Sequence, residues 1–171
     1  MLKKPAAAIR LLVLDVDGVL TDGRLYFGPN GEALKLFHVR DGLGIQQVAK
    51  AGIEVAVISG RKSRMVDVRC RELGVEHVHQ GAKDKVAVLE KLCARLKIQP
   101  SECACVGDDL PDIPVMRKVA LAFAVADAHT DARHAAHLIT KLPGGHGAVR
   151  EVCDYLLAHR GLVHRPKARA S

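Results

Sequence analysis

The stretch LLVLDVDGVLTDG, residues 11 to 23, places two carboxylates, Asp15 and Asp17, one residue apart where an apolar run ends. An aspartate in that position can simply cap the turn that follows a strand. Three other places put polar groups at the end of an apolar run or the start of an amphipathic one: Ser59, Gly60 and Arg61 in IEVAVISGR, Lys85 after GAKD, and Asp108 and Asp109 in GDDLPD. Carboxylates gathered from two strand ends repel, and a pair ~4 Å apart costs on the order of 4 kcal/mol at an effective dielectric near 20. A positive charge has to sit among them. Oxygen donors with no histidine or cysteine beside them suit a hard cation, and Mg²⁺ keeps waters and binds alongside phosphate. Lys85 is a point charge for a phosphate oxygen, and the Ser59 hydroxyl with the N–H groups that follow forms an anion nest. Together these are the parts of a phosphoryl-transfer site.

The elements that must position them follow from the apolar pattern. LLVLDV (11–16), IEVAVIS (53–59), EHVH (76–79), CACVG (103–107), LAFAV (121–125) and HLIT (137–140) read as strands, mostly buried on both faces. Between them lie helices: KVAVLEKLCARL aligns Val86, Leu89, Cys93 and Leu96 in one stripe, and GAVREVCDYLLAH aligns Val149, Val152, Cys153 and Leu156. Regular alternation predicts an α/β fold, a Rossmann-like doubly wound parallel sheet wrapped by helices, with ligands at the carboxyl ends of the strands. Helices are expected to begin just after Ser59 and Asp109, turning their free N–H groups toward an anion. RLYFGPNGEALKLF breaks the rhythm and predicts a β-hairpin, about 24–37, protruding after the first strand. Its outward Leu25, Phe27, Leu34 and Leu36 have no helix to cover them, which predicts a partner chain. No linker divides residues 1–160, read as one domain, and the aperiodic 161–171 read as a flexible basic tail.

Composition narrows the classes. At 171 residues the chain can bury a substantial core, and its hydrophobic (49%) and charged (26%) fractions are those of a globular protein. No apolar run approaches the ~20 residues of a membrane span, and MLKKPAAAIRLL makes no signal peptide, so the expected location is cytoplasmic. Five cysteines, an odd number, argue against a disulfide framework; Cys103 and Cys105 share one strand face and read as core. Nine histidines form no zinc motif: His77 and His79 fall on a strand, His134 and His137 on a polar helix. Part of the net charge of +7 lies in the final dozen residues, and three Phe, two Tyr and no Trp leave little to stack on bases. A small anionic substrate accounts for the basicity; neither nucleic acid nor membrane is expected as a partner.

The motifs DVDGV, Ser59 at a strand end, Lys85 and GDDLPD, in that order, resemble the haloacid dehalogenase superfamily. The resemblance implies Asp15 as nucleophile and Asp17 as general acid and base, Mg²⁺ held by Asp15, the main-chain carbonyl of Asp17 and Asp108, and the phosphoryl oxygens bound by Ser59, the Gly60 amide and Lys85. Asp109 and Asp112 would order metal waters and Lys85; Asp112 reads equally well as a carboxylate at a helix N-terminus. Only 41 residues lie between Asp17 and Ser59, spent on the hairpin and one helix, and 25 between Ser59 and Lys85, so no substrate-selecting cap domain fits. The fold is expected to be capless.

DVDGVLTDG, FHVRDGLGI, ISGRKS, VRCRELGV, VGDDLPDIPVM, AVADAH and GGHGAVREVCDYLL together resemble the capless 3-deoxy-D-manno-octulosonate 8-phosphate (KDO 8-phosphate) phosphatases of lipopolysaccharide biosynthesis. This implies a homotetramer whose neighbours cover one another's sites, a sugar acid bound by His38, Val39, Arg40, Asp41 and Gly42 with Arg61 and Arg69, and a segment around Gly144 to Arg150 that approaches a neighbour's site. Arginines suit a substrate carrying both phosphate and carboxylate, although each can equally be a solvated surface residue. His146 and Gln46 stand where many relatives carry basic residues. Other readings are a phosphatase of a nine-carbon sugar-acid 9-phosphate, a non-catalytic oligomerisation domain of the same fold, and a signalling receiver. The receiver would need an acceptor aspartate after its third strand, where VEHVHQG has none.

Overall fold

A computed structural model of the chain describes residues 3–162. The basic tail expected at 161–171 therefore lies, from residue 163 on, outside the described residues. In chain order the elements are α1 (Lys3–Ala8), β1 (Leu11–Leu14), β2 (Tyr26–Gly28), β3 (Gly31–Leu34), α2 (Val39–Lys50), β4 (Glu54–Ser59), α3 (Arg64–Leu73), β5 (His77–Gln80), α4 (Lys85–Leu96), β6 (Cys103–Gly107), α5 (Ile113–Met116), β7 (Leu121–Ala124), α6 (Thr130–Ala135), β8 (Leu138–Ile139) and α7 (Ala148–His159).

Six strands form a parallel sheet in the order β5-β4-β1-β6-β7-β8, and β2 and β3 form a separate antiparallel hairpin. Every residue of β1, LLVL, is buried, because a strand paired on both edges and covered on both faces must be apolar throughout. β1 is the pivot: successive strands run outward from it through β4 to β5, then return to its other edge for β6, β7 and β8. That reversal opens a crevice at the carboxyl ends of β1, β4 and β6. Register sharpens the point. Leu14 pairs with Val57 of β4 and Val106 of β6, so Asp15 emerges level with Ile58 and Gly107, one step short of Ser59 and Asp108.

The helices carry their own start and stop signals. Asp84 caps α4, accepting from Ala87 N at 3.0 Å, and Gly74 closes α3 in the left-handed conformation (φ 74°). α2 and α7 pack on each other with α1 alongside, burying Ile45 and Val48 against Val149, Val152 and Cys153. Three details depart from the sequence reading. His137 lies beyond α6 and leads into β8, its ring accepting from Ala122 N at 2.9 Å. α3 begins at Arg64 rather than directly after Ser59, since Ser63 stands at its N-cap. Leu92 joins Leu89 and Cys93 in the buried face of α4, while Val86 is only half-buried.

Candidate active site

The crevice is a cleft of about 350 Å³ lined by Asp15, Asp17, Ser59, Gly60, Arg61, Lys85, Asp108, Asp109 and Asp112, with Leu25 of the hairpin at its edge. β1 delivers Asp15 and Asp17, β4 delivers Ser59, β6 delivers Asp108, and the first residue of α4 is Lys85. The Asp15–Gly23 loop can pass close to β6 only because residue 18 is glycine. Its φ is +86°, and a Cβ there would lie 2.1 Å from Asp108 Oδ2.

Carboxylate oxygens of Asp15, Asp108 and Asp112 lie within 4.8 Å of one another. One buried ammonium stands among them: Lys85 Nζ is 2.7 Å from Asp112 Oδ1 and 2.9 Å from Asp15 Oδ1. Asp112 is fully engaged, its Oδ2 accepting from the backbone N–H groups of Asp108 (3.0 Å) and Asp109 (3.3 Å). It thereby fixes both the GDD turn and Lys85, which joins the two expectations for this residue. Asp109 turns outward, accepting from Leu110 N at 2.8 Å.

One lysine does not offset three acids. Burial and the nearby Asp112 push the Asp15 carboxyl up to about 6, against the pull of Lys85. Burial and the charges of Asp15, Asp112 and Asp109 push Asp108 up to about 8. Burial alone would lower the Lys85 pKa, but Asp15 and Asp112 outweigh it and hold the ammonium above its ordinary value. The 2.9 Å approach of Lys85 to Asp15 Oδ1 lacks hydrogen-bond geometry, so this buried oxygen is left without a hydrogen-bond partner. All-oxygen donors, excess negative charge and an unsatisfied buried carboxylate oxygen fit a hard divalent cation such as Mg²⁺.

The other expected substrate residues lie elsewhere in the chain. The His38 imidazole caps α2, accepting from Arg40 N at 3.2 Å, and Val39 is exposed. Asp41 is 1% exposed and accepts from Arg150 N at 2.7 Å, at the start of α7. Gly42 packs against the Arg69 guanidinium, and Arg69 pairs with Glu72 at 2.9 Å. Arg40 borders a separate cleft with Lys141, Arg150 and Asp154. Within one chain, none of His38, Val39, Arg40, Asp41, Gly42 and Arg69 lines the Asp15 cleft.

Two residues outside the sequence-derived set touch the side chains that line it. Lys35, just past β3, contacts Asp17, and Glu32 of β3 contacts both Lys35 and Arg61. Their only signal was position: polar residues between the outward leucines of an otherwise apolar hairpin.

This arrangement of sheet, acidic cleft and lysine defines a class, and the family model for haloacid dehalogenase-like hydrolases matches residues 32–119. The chain belongs to that family, within its branch of 3-deoxy-D-manno-octulosonate 8-phosphate phosphatases. It is 51% identical over 165 residues to 3-deoxy-D-manno-octulosonate 8-phosphate phosphatase KdsC of Escherichia coli K12, covering 96% of this chain and 88% of the relative. The crystal structure of the Yersinia pestis phosphatase superposes with a TM-score of 0.92 at 47% identity, covering 94% of this chain and 87% of that one. The Moraxella catarrhalis phosphatase, solved in complex with magnesium ion, phosphate ion and KDO, gives a TM-score of 0.91 at 41% identity, with coverages of 94% and 92%. Among the described residues, no helix is long and apolar enough to cross a membrane.

Proposed function

We propose that the protein is an Mg²⁺-dependent phosphatase that hydrolyses KDO 8-phosphate to KDO and inorganic phosphate through an aspartyl-phosphate, the reaction that serves lipopolysaccharide biosynthesis. The observation that carries this is the convergence of Asp15, Asp17, Ser59, Lys85 and Asp108 in one cleft, in a chain half identical to phosphatases of that name.

The roles follow from chemistry. Asp15 Oδ attacks phosphorus as the leaving oxygen departs on the opposite side; with its pKa near 6 it is ionised at neutral pH and needs no base. Asp17, two residues on and at the mouth of the cleft, donates a proton to the leaving alkoxide. In the second half it takes a proton from the water that attacks the aspartyl-phosphate, which returns Asp15 and releases phosphate. Lys85, held by Asp112, and Ser59 with the Gly60 N–H bind phosphoryl oxygens as charge develops. Asp15, Asp108 and the Asp17 carbonyl would hold Mg²⁺, which when bound offsets the charge of the carboxylates and the phosphoryl group. Arg61, 44% exposed at the rim, meets the sugar acid.

Leu25, Phe27, Leu34 and Leu36 are exposed on the hairpin, and Phe27 is 65% exposed. This supports a homo-oligomer, a tetramer, in which neighbours bury the hairpins and bring their FHVRDG segments toward one another's clefts. Five buried free thiols suit a reducing cytoplasm.

Steady-state kinetics on a panel of sugar phosphates tests the substrate. KDO 8-phosphate should show the highest kcat/KM, and a preference of about tenfold for another phosphate, including a nine-carbon 9-phosphate, would remove that assignment.

A further inference from the structure

The hairpin borders the cleft with Leu25 and reaches its lining residues with charge. Lys35, whose side chain is 2% exposed, contacts Asp17 Oδ1 and lies 3.0 Å from Glu32 Oε1. Arg61 Nε lies 3.4 Å from Asp17 Oδ2, and Arg61 Nη2 lies 3.4 Å from Glu32 Oε1. The four side chains make a closed ring of alternating sign, Lys35–Asp17–Arg61–Glu32. Two of them come from the hairpin and two from the loops after β1 and β4.

This ring cannot persist in the reacting complex. Asp17 must be released to the leaving oxygen, and Arg61 must turn to the substrate. Glu32 has no duty toward the phosphoryl group, and its carboxylate occupies the position between two cations that a second anionic group on the substrate would take.

We propose that Glu32 is a built-in stand-in for a carboxylate, and that Lys35 together with Arg61 is the receptor for the carboxylate of a phosphorylated sugar acid. A substrate with phosphate at one end and carboxylate at the other displaces Glu32 and keeps both cations paired. A plain phosphomonoester leaves Glu32 in place, so the ring stays closed around Asp17. Selectivity thus comes partly from an internal competitor that only the acid substrate can replace. The proposal rests on the sugar-acid phosphatase reading given above and names the residues that enforce it.

The test compares kcat/KM for KDO 8-phosphate, for glucose 6-phosphate and for p-nitrophenyl phosphate in the wild type, Lys35→Met, Lys35→Arg and Glu32→Gln, each checked by thermal unfolding. Lys35→Met should lose at least about tenfold more on KDO 8-phosphate than on the two carboxylate-free esters, mainly through KM, as expected for a lost charge-assisted pair. Lys35→Arg should recover most of that loss. Glu32→Gln should raise kcat/KM on the carboxylate-free esters and narrow the preference. Equal losses on all three substrates in Lys35→Met would show that Lys35 serves Asp17 or the phosphoryl group and would overturn the proposal, as would no loss on any of them. A wild type without preference for KDO 8-phosphate would instead overturn the functional reading, whereas a wild-type preference that survives Lys35→Met would overturn only the Lys35 assignment.

Discussion

A carboxylate that attacks phosphorus must be ionised, and the surroundings of Asp15 bring its pKa close to neutrality, a shift that a bound cation would oppose. The Asp15 and Asp108 carboxyls are both raised, to about 6 and about 8, by burial first and then by neighbouring carboxylates, Asp112 for Asp15 and Asp15, Asp112 and Asp109 for Asp108. A carboxyl with a folded pKa above its unfolded value binds its proton more tightly in the fold, so it favours folding below the unfolded pKa of 3.8, and that contribution is lost as pH rises through the folded values. The metal-free protein should therefore unfold at lower temperature as pH is raised from about 5 to about 8, and Mg²⁺ should raise Tm far more at about pH 8 than at about pH 5. Equal Mg²⁺ shifts at both pH values would count against the acidic cluster as the cation site. Asp15→Asn removes the attacking oxygen while keeping the shape. It should lower kcat by at least about 10³-fold with an unchanged circular-dichroism spectrum, and activity retained in this variant would favour a nucleophile other than Asp15.

At the scale of elements, the loop that carries Asp15 and Asp17 is backed by the segment before α7. Gly145 N donates to Val19 O at 2.9 Å, and a Cβ on Gly144 would lie 1.7 Å from the Gly18 carbonyl oxygen. Gly144→Ala should therefore push the loop out of place, lowering both Tm and kcat; a variant with wild-type values would show that the loop does not depend on this contact. Asp41 ties α2 to the start of α7 through Arg150 N, and its removal in Asp41→Ala leaves a buried N–H unpaired. That should cost about 1–3 kcal/mol in a denaturant titration. These contacts also mark where the sequence was legible. Short runs gave the six parallel strands to within a residue or two: β1, β4, β6 and β7 are buried and read as apolar runs, whereas β5 (HVHQ) and β8 at the sheet edges are only partly buried. The strand ends gave the cleft, since β1, β4 and β6 are neighbours and their polar ends had to meet. FHVRDG and GGHGAVRE could be seen as distinctive, but not that they meet each other at the α2–α7 junction, because a contact between Asp41 and Arg150 leaves no periodic trace in either segment. Nor could the pattern show that Lys35 folds inward, since alternation in a short hairpin predicts a polar face without saying what it faces.

For the whole molecule, the apolar hairpin sets the expected behaviour in solution. Replacing Phe27 and Leu36 with lysine puts charges on the face read as an interface, so sedimentation should shift from the oligomer to a monomer, with kcat/KM falling if neighbouring chains complete the site. A wild-type monomer at micromolar concentration would remove the shared-site reading. The contact between Gly144 and the Gly18 carbonyl carries a different consequence, one of timing. The aspartate loop and its brace lie far apart in sequence, so Asp15 and Asp17 can take up their working positions only after the segment before α7 has docked on the loop. A chain in which that segment has not yet docked holds the reactive carboxylates without the backbone that aims them.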